Sequence, residues 1–286
     1  MNKRICSIFL LLTLLPLQAN AVTAGMAALD MQEISRTEYQ ISKDVKEYEW
    51  LLNNGSLTKQ MVGHVMEVKV GKDSTATLAA GYSDYNIDRI KNNQWAMVKT
   101  TEQAQAMETR RTVNVVGAIN GGGFDMSNGR PSGALVLNGT VIQSANSTTF
   151  WVDKENVAHI TDGMEYTQAV ADGRVSEAIS SFGDILSDGK AYTGLDNSTR
   201  ASRTAVGIKP DGSVVLFMVD GRQSPYSAGM TMAELAAAME ELGCERAINL
   251  DGGGSSTFAT QREGDVVSEV DPNGKSAGLT PPIRRL

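Results

Sequence analysis

Arg246 to Leu250 is a short, mostly apolar run, and Asp251-Gly252-Gly253-Gly254-Ser255-Ser256 follows it without a break. The run is short for a helix and reads as a buried strand. Its glycines allow the backbone to turn at positive φ and leave the main chain open to close approach. Just upstream, a helix is spelled out by its caps and its apolar face. Thr231 stands at the N-cap with Glu234 three residues on, Met232, Leu235, Ala236, Met239 and Leu242 share one face, and Gly243 is the stop. A helix thus feeds a strand that ends in a carboxylate, three glycines and two hydroxyls. That combination makes a polar site at a strand end, and a plain surface turn rarely needs all of it.

The pattern recurs. The apolar run Val113 to Ile119 leads into Asn120-Gly121-Gly122-Gly123-Phe124-Asp125, and Ser213 to Val219 leads into Asp220-Gly221-Arg222. Between these runs the chain is rich in hairpin signals. Gly133 to Leu137 and Thr140 to Gln143 flank Asn138-Gly139. Thr149 to Val152 and Val157 to Thr161 flank a polar turn. Ala201 to Ile208 and Ser213 to Val219 flank Lys209-Pro210-Asp211-Gly212, where Pro pre-sets φ and Gly takes the left-handed position. Thr100 to Arg111 predicts a further helix, with Thr100 and Gln103 in capping-box positions. His64 to Val70 alternates like a strand, with Thr75 to Ala80 as its partner across Gly71 to Ser74. Residues 22–61 are polar and weakly periodic; they predict an N-terminal arm with one short helix near Met31 to Gln40, closed by the turn Asn53-Asn54-Gly55-Ser56. No linker composition divides the remainder. The expected fold class is α+β: a mixed, largely antiparallel twisted sheet flanked by a few helices, in a single domain over 62–286.

Met1 to Ala21 reads as a secretory signal peptide. Lys3 and Arg4 form its positive region, Ile5 to Leu17 its apolar core, and Ala19-Asn20-Ala21 its cleavage pattern. The apolar run is shorter than the ~20 residues a spanning helix needs, so an uncleaved anchor is the weaker rival. After cleavage only Cys244 remains, which rules out an intrachain disulfide and reads as a small buried residue where a helix meets a strand. The net charge of −7, with no basic cluster after the signal peptide, argues against nucleic acid or an anionic membrane as partner. With only His64 and His159, a three-histidine zinc site is excluded and a Ser-His-Asp triad has few candidates.

Three strands therefore lead to an acidic residue beside glycine: Asp125, Asp220 and Asp251. If their ends converge they form an acidic bowl, and paired carboxylates are the usual equipment for cleaving a glycosidic bond. The alternative for each is turn chemistry, since Asp-Gly is a common turn pair. Arg203-Thr204 starts a hairpin strand whose partner exits at Asp220, so the two ends meet. An arginine fork there suits a phosphate oxygen pair, or closes a salt bridge at a strand end. Gly121 to Gly123 could seat an anion on main-chain N–H groups. No G-x-G-x-x-G register fits and the Walker lysine is absent, which argues against a nucleotide site.

Taken in order, Ala118-Ile119-Asn120-Gly121 with Phe124-Asp125, Ser202-Arg203-Thr204-Ala205-Val206-Gly207, and Asn249-Leu250-Asp251-Gly252-Gly253-Gly254-Ser255-Ser256 resemble the phosphodiester glycosidase family. Ser181-Phe182-Gly183-Asp184-Ile185-Leu186 is similar to the family's Phe-Gly-x-x-Leu segment. The likeness runs from about Val62 to Phe258, and the last motif is the most specific. It implies hydrolysis of a sugar-1-phosphodiester, releasing the sugar and leaving a phosphomonoester. It also implies a shared pocket of Asn120, Phe124, Asp125, Arg203, Thr204, Asp220, Asp251, Gly252, Ser255 and Ser256. Within it, Asp251 is expected as the catalytic carboxylate, Asp220 as its partner acid or base, and Arg203 with Thr204 as the phosphate holder. Ser255, Ser256 and the glycine N–H groups are expected to orient sugar and phosphate oxygens.

Two features depart from the family pattern. Gly123 stands where a bulky aromatic usually precedes Phe124. The C-terminal end, Gly264 to Leu286, finishes through Leu279-Thr280-Pro281-Pro282, so the closing strand is expected to be altered or truncated. The function expected is an exported hydrolase of sugar-phosphodiester bonds, secreted or in the cell envelope. Its partner is a sugar-phosphate glycan, with no nucleic acid and no stable membrane insertion after signal cleavage. The rival is a non-catalytic carbohydrate- or cell-wall-binding domain that keeps the pocket. No cofactor and no metal ligand are expected; calcium in the acidic bowl is a third reading, without an EF-hand pattern behind it.

Overall fold

The computed structural model describes residues 22–55, 59–81, 90, 92, 94–111, 113–261 and 268–270; the expected signal peptide lies outside them. Along the chain, α1 (Ala24–Ala28) precedes β1 (Met31–Ser42), β2 (Val45–Asn54) and β3 (Met61–Val68). α2 (Thr100–Arg111) leads to β4 (Gly117–Ile119), the hairpin β5 (Leu135–Leu137) and β6 (Thr140–Gln143), and the pair β7 (Thr149–Asp153) and β8 (Ala158–Thr161). α3 (Gly163–Ala171) is followed by β9 (Val175–Ser180), β10 (Gly183–Ser187), β11 (Lys190–Ala191), β12 (Arg203–Ile208) and β13 (Val214–Val219). The described chain closes with α4 (Met232–Glu241), β14 (Arg246–Asn249), β15 (Phe258–Thr260) and β16 (Ser268–Val270).

An eight-stranded sheet in the order β1-β2-β3-β13-β12-β14-β10-β11 forms the middle layer. A five-stranded sheet, β6-β5-β9-β7-β8, covers one face, and β16-β15-β4 form a small third sheet. The ladders within all three are antiparallel, as the hairpin signals predict. The fold is α+β in one domain.

β13 shows why the layers stack as they do. Its residues Val214 to Val219 are all buried, so both faces of the strand are covered. Val215, Phe217 and Val219 point, with Ala205 and Ala247, to the face packed by α4 through Leu235 and Met239. Leu216 and Met218 point, with Val206 and Ile248, to the opposite face, where Phe150, Val152 and Ile160 of the second sheet meet them. Side chains alternate across a strand, so a continuous apolar run is the mark of a strand between two layers. Burying one such side chain stabilises by roughly 1.5–3 kcal/mol. α4 starts as its sequence predicts: Thr231 and Glu234 form a capping box.

The expected arm is a correction. Residues 31–54 do not make an arm with a short helix; they form β1 and β2, which extend the main sheet through β3. Trp50 and Tyr48 of β2 are fully buried beneath α1 and α4. β1 is held across the strand pair: Trp50 Nε1 donates to Glu33 at 2.7 Å, and the Arg36 guanidinium lies 4.7 Å from the Tyr48 ring centroid. Cross-strand pairs of this kind decide strand formation where the local pattern is weak. Residues 75–80 form no strand. The partners of β3 are β2 and β13, and Thr75 is instead fastened to the Asp44 carboxylate through its N–H and hydroxyl. The run predicted from Val113 is a strand only over Gly117–Ile119. α3, capped by the Asp162 carboxylate, and β9 in the centre of the second sheet were not anticipated. After the Gly-rich motif β16 does pair with β15, while residues 271–286 lie outside the described residues.

Candidate active site

β12 and β14 are neighbours with Ala205 opposite Asn249, so their ends deliver Arg203-Thr204 and Leu250-Asp251 side by side. The Leu250 N–H donates to the Thr204 carbonyl at 2.8 Å, and the Gly253 N–H to the Ser202 carbonyl at 2.9 Å. Ser202 Oγ returns a hydrogen bond to the Gly253 carbonyl at 2.7 Å. The third motif arrives from β4. The Asp251 N–H donates to the Gly121 carbonyl at 3.1 Å, and the Asn120 N–H to the Thr257 carbonyl at 3.3 Å. The fourth arrives with β10, where the Phe182 N–H donates to the Asn249 carbonyl at 2.9 Å.

Asn120 is the hub. Its Oδ1 accepts from the Thr204 hydroxyl at 2.7 Å and the Thr257 N–H at 3.0 Å, and its Nδ2 donates to the Asp251 carbonyl at 2.8 Å. Thr204 is completely buried and Asn120 nearly so. Thr204 therefore shapes the site through Asn120 rather than by touching a ligand.

A cleft of about 2100 Å³ runs along this junction, and Asn120, Phe124, Asp251, Ser255 and Ser256 line it. Asp251 is half-buried, and its Oδ1 accepts the Gly252 N–H at 2.9 Å. Ser256 is 1% exposed, and its Oγ has no hydrogen-bond partner. A buried hydroxyl without a partner costs about 1–3 kcal/mol, so at a cleft wall it is open to a hydrogen bond from a ligand or water.

The remaining expected residues sit differently. Gly252, Arg203 and Asp220 are not among the residues that line the cleft. Gly252 lies flat on β12: a Cβ there would stand 2.9 Å from the Ser202 carbonyl oxygen and 3.8 Å from Arg203 Cδ. The Arg203 side chain donates to the carbonyls of Met230 (3.1 Å) and Thr199 (2.9 Å). Partial burial lowers its pKa, the nearby Asp196 carboxylate opposes that shift, and the Arg222 guanidinium adds to it. Asp125 is exposed, and its carboxylate is taken up by its own loop, accepting from the Ser127 N–H and hydroxyl and from Asn128 Nδ2. These bonds hold its pKa below the usual carboxylate range.

Asp220 is fully buried. Its Oδ2 accepts from the Tyr226 hydroxyl at 2.9 Å and lies 3.4 Å from His64 Nε2, while Ser227 Oγ donates to its carbonyl at 2.6 Å. The acidic bowl is thus a correction: among the described residues, no three His, Cys, Asp or Glu side chains group closely enough to hold a metal ion. The Gly123 departure has a local explanation. A Cβ on Gly123 would collide with the Phe182 ring, so an aromatic from β10's approach occupies the space beside it.

Sequence reasoning did not single out Tyr226 and His64 as partners of Asp220, or Arg222 as a neighbour of the Gly-rich motif. Only the adjacency Asp220-Gly221-Arg222 hinted at the last.

Comparison with known proteins bears on the family and the fold. A family model described as phosphodiester glycosidase matches residues 113–281. The mouse N-acetylglucosamine-1-phosphodiester alpha-N-acetylglucosaminidase is 27% identical over 165 residues, covering 49% of this chain and 31% of its own length. An uncharacterized SPbeta prophage-derived protein of Bacillus subtilis (strain 168) is 28% identical over 184 residues, covering 60% of this chain and 28% of its own. The chain thus spans about a third of these curated relatives. Among solved structures, the zebrafish N-acetylglucosamine-1-phosphodiester alpha-N-acetylglucosaminidase catalytic domain, auto-inhibited by its pro-peptide, superposes with a TM-score of 0.61 at 20% identity, over 79% of this chain and 78% of that one.

Proposed function

The chain belongs to the phosphodiester glycosidase family, and from that premise we propose that it hydrolyses sugar-1-phosphodiesters, with Asp251 as the catalytic carboxylate. The observation that carries this reading is the convergence of Asn120, Asp251, Ser255 and Ser256 on one cleft, with Arg203 directly behind Gly252. In this reading the sugar lies in the cleft against Asp251 and the Ser255 and Ser256 hydroxyls. The phosphate is turned toward Arg203.

The bond between the anomeric carbon and the bridging oxygen breaks. Water supplies the new hydroxyl on the sugar, and its proton passes to Asp251 and then to solvent or the released phosphate. A single reacting carboxylate suffices because of the leaving group. A phosphomonoester has a second pKa of about 6, far below an alcohol, so it departs without a strong general acid. What it needs is a cation to hold its charge, and Arg203 is suited to that. Asp220, expected as the partner acid or base, is completely buried and bonded to Tyr226. We assign it a bracing role.

We propose further that Met1 to Ala21 directs export, on the strength of its charge and cleavage pattern. Because β1 (Met31–Ser42) and β2 (Val45–Asn54) belong to the main sheet, the proposed functional unit includes them rather than starting at residue 62. Among the described residues no helix is long and apolar enough to cross a membrane.

Purified protein incubated with a chromogenic sugar-1-phosphodiester tests the function. Release of sugar and phosphomonoester is expected, with Asp251→Asn reducing kcat by roughly 10³-fold or more. Saturable binding without product identifies a carbohydrate-binding module instead. Full activity in both Asp251→Asn and Arg203→Ala sinks the site assignment.

A further inference from the structure

We infer that Arg222 is a second phosphate-binding residue, which together with Arg203 grips one phosphate group across the Gly252–Gly253 backbone. Arg203's part in this clamp rests on the function proposed above; Arg222's part rests on its own geometry.

Gly252 and Gly253 present their bare faces to the two arginines in turn. A Cβ on Gly252 would stand 3.8 Å from Arg203 Cδ, and one on Gly253 would stand 3.8 Å from Arg222 Nη1 and 3.9 Å from Nη2. The guanidinium of Arg222 therefore lies against Gly253, one residue along from Arg203. Burial and the field of Arg222 both depress the Arg203 pKa, and Asp196 is the carboxylate that opposes them. Asp196 is itself engaged by the Ser198 N–H and hydroxyl and the Thr199 N–H. Two cations thus adjoin Gly252 and Gly253; the Arg222 backbone N–H donates to the Ala228 carbonyl at 3.4 Å, while its side chain is exposed and, among the described residues, makes no hydrogen bond or ion pair. A guanidinium open to solvent beside a second cation is available for charge-assisted hydrogen bonds to a dianion, which adds counter-charge to the pair.

The loop is built to hold Arg222 there. Arg222 has φ of 61°, a left-handed conformation that costs a non-glycine residue energy and that a surrounding structure must enforce. The enforcement comes from both sides. Gly221 is pressed so tightly against Ala201-Ser202 that any side chain would collide. Beyond Arg222, Gln223 and Ser227 form a bridge, Tyr226 donates to the buried Asp220 carboxylate, and Ser227 donates to the Asp220 carbonyl. Asp220 is thereby a positioning residue for the loop that carries Arg222.

The test uses the whole protein with inorganic phosphate as probe, read by calorimetry, and with a sugar-1-phosphodiester, read by KM and kcat. Arg222→Gly removes the guanidinium at a backbone conformation glycine favours, so the fold is preserved; an unchanged melting temperature checks this. Loss of a charge-assisted hydrogen-bond pair predicts phosphate affinity weakened by roughly 10- to 100-fold and KM raised in parallel. Arg222→Lys, which keeps the charge but not the fork, should recover part of the affinity. Phosphate affinity unchanged in a folded Arg222→Gly protein overturns the clamp, even if the wild type cleaves its substrate. Phosphate binding that is lost with Arg222→Gly, in a protein that cleaves no phosphodiester, upholds Arg222 as a phosphate-binding residue and sinks the enzymatic reading. A wild-type protein that binds no phosphate overturns the clamp outright.

Discussion

The buried Thr204 hydroxyl donates to Asn120 Oδ1 at 2.7 Å, across 84 residues of sequence. The same carboxamide reaches Thr257 and Asp251, which lie 137 and 131 residues away along the chain. Three strand ends are therefore held in register by one side chain. Asp251 owes its place to a residue that the cleft itself barely exposes.

Asn120→Ala leaves a buried hydroxyl, a backbone N–H and a carbonyl without their partner, and should cost about 2–4 kcal/mol of stability. Thr204→Val should cost about 1–2 kcal/mol. In the double variant the losses should fall short of their sum by about 1 kcal/mol, because both remove one shared bond. Urea unfolding of the four proteins measures this; strict additivity would mean the bond does not couple the strands.

Asp220→Asn keeps an oxygen acceptor for Tyr226 and should retain turnover within about tenfold while losing about 1–2 kcal/mol of stability. Asp220→Ala abandons the Tyr226 hydroxyl and should lose about 2–3 kcal/mol, with a higher KM as the Arg222 loop loosens. If Asp220→Asn stays folded yet drops kcat by three orders of magnitude, Asp220 is a proton-transfer group after all.

Gly121 and Gly122 are adjacent but should respond differently to alanine. A Cβ on Gly121 meets nothing within 4 Å, whereas one on Gly122 collides with the Ser180 carbonyl. Gly121→Ala should keep its thermal midpoint and raise KM, since the methyl enters the cleft beside Asp251. Gly122→Ala should lose about 1–3 kcal/mol. Equal melting temperatures for the two variants would contradict the packing described.

Cys244 is buried, and that burial pushes its thiol up from the usual value near 9.0 to about 12. Tyr166 is likewise pushed up by burial to about 12. Both groups lose a proton more readily when unfolded, so their contribution to stability is complete below pH ~9 and is lost as pH rises toward 12. Native protein at pH 8 should resist an aromatic disulfide reagent that reacts fully in denaturant. Cys244→Ala should flatten part of the alkaline stability loss; rapid labelling of native protein would show that the thiol is not sealed.

Much of the site could be read locally. Asp251-Gly252-Gly253-Gly254-Ser255-Ser256 announces a strand end opened for a ligand, and Thr231 with Glu234 announces the helix that precedes it, because both signals lie within a few residues. Asn138-Gly139 fixes its hairpin for the same reason: both residues take positive φ. Residues 31–54 were illegible because their strand identity depends on β3 and on the Trp50–Glu33 and Arg36–Tyr48 pairs, not on periodicity. α3 carries a local signal of the same kind in Asp162 with Glu165 three residues on.

The sequence by itself determined the strand and turn chemistry, the α+β class and the three motifs that place the chain in its family. Those follow from properties of neighbouring residues. Only the tertiary structure decided which acidic residue faces the cleft: Asp251 lines it, Asp125 is bound to its own loop, and Asp220 is buried against Tyr226. Each carboxylate stands beside glycine in the sequence. Their exposure depends on which distant segment packs over them, and that is set by side-chain contacts such as Asn120–Thr204 that span the fold.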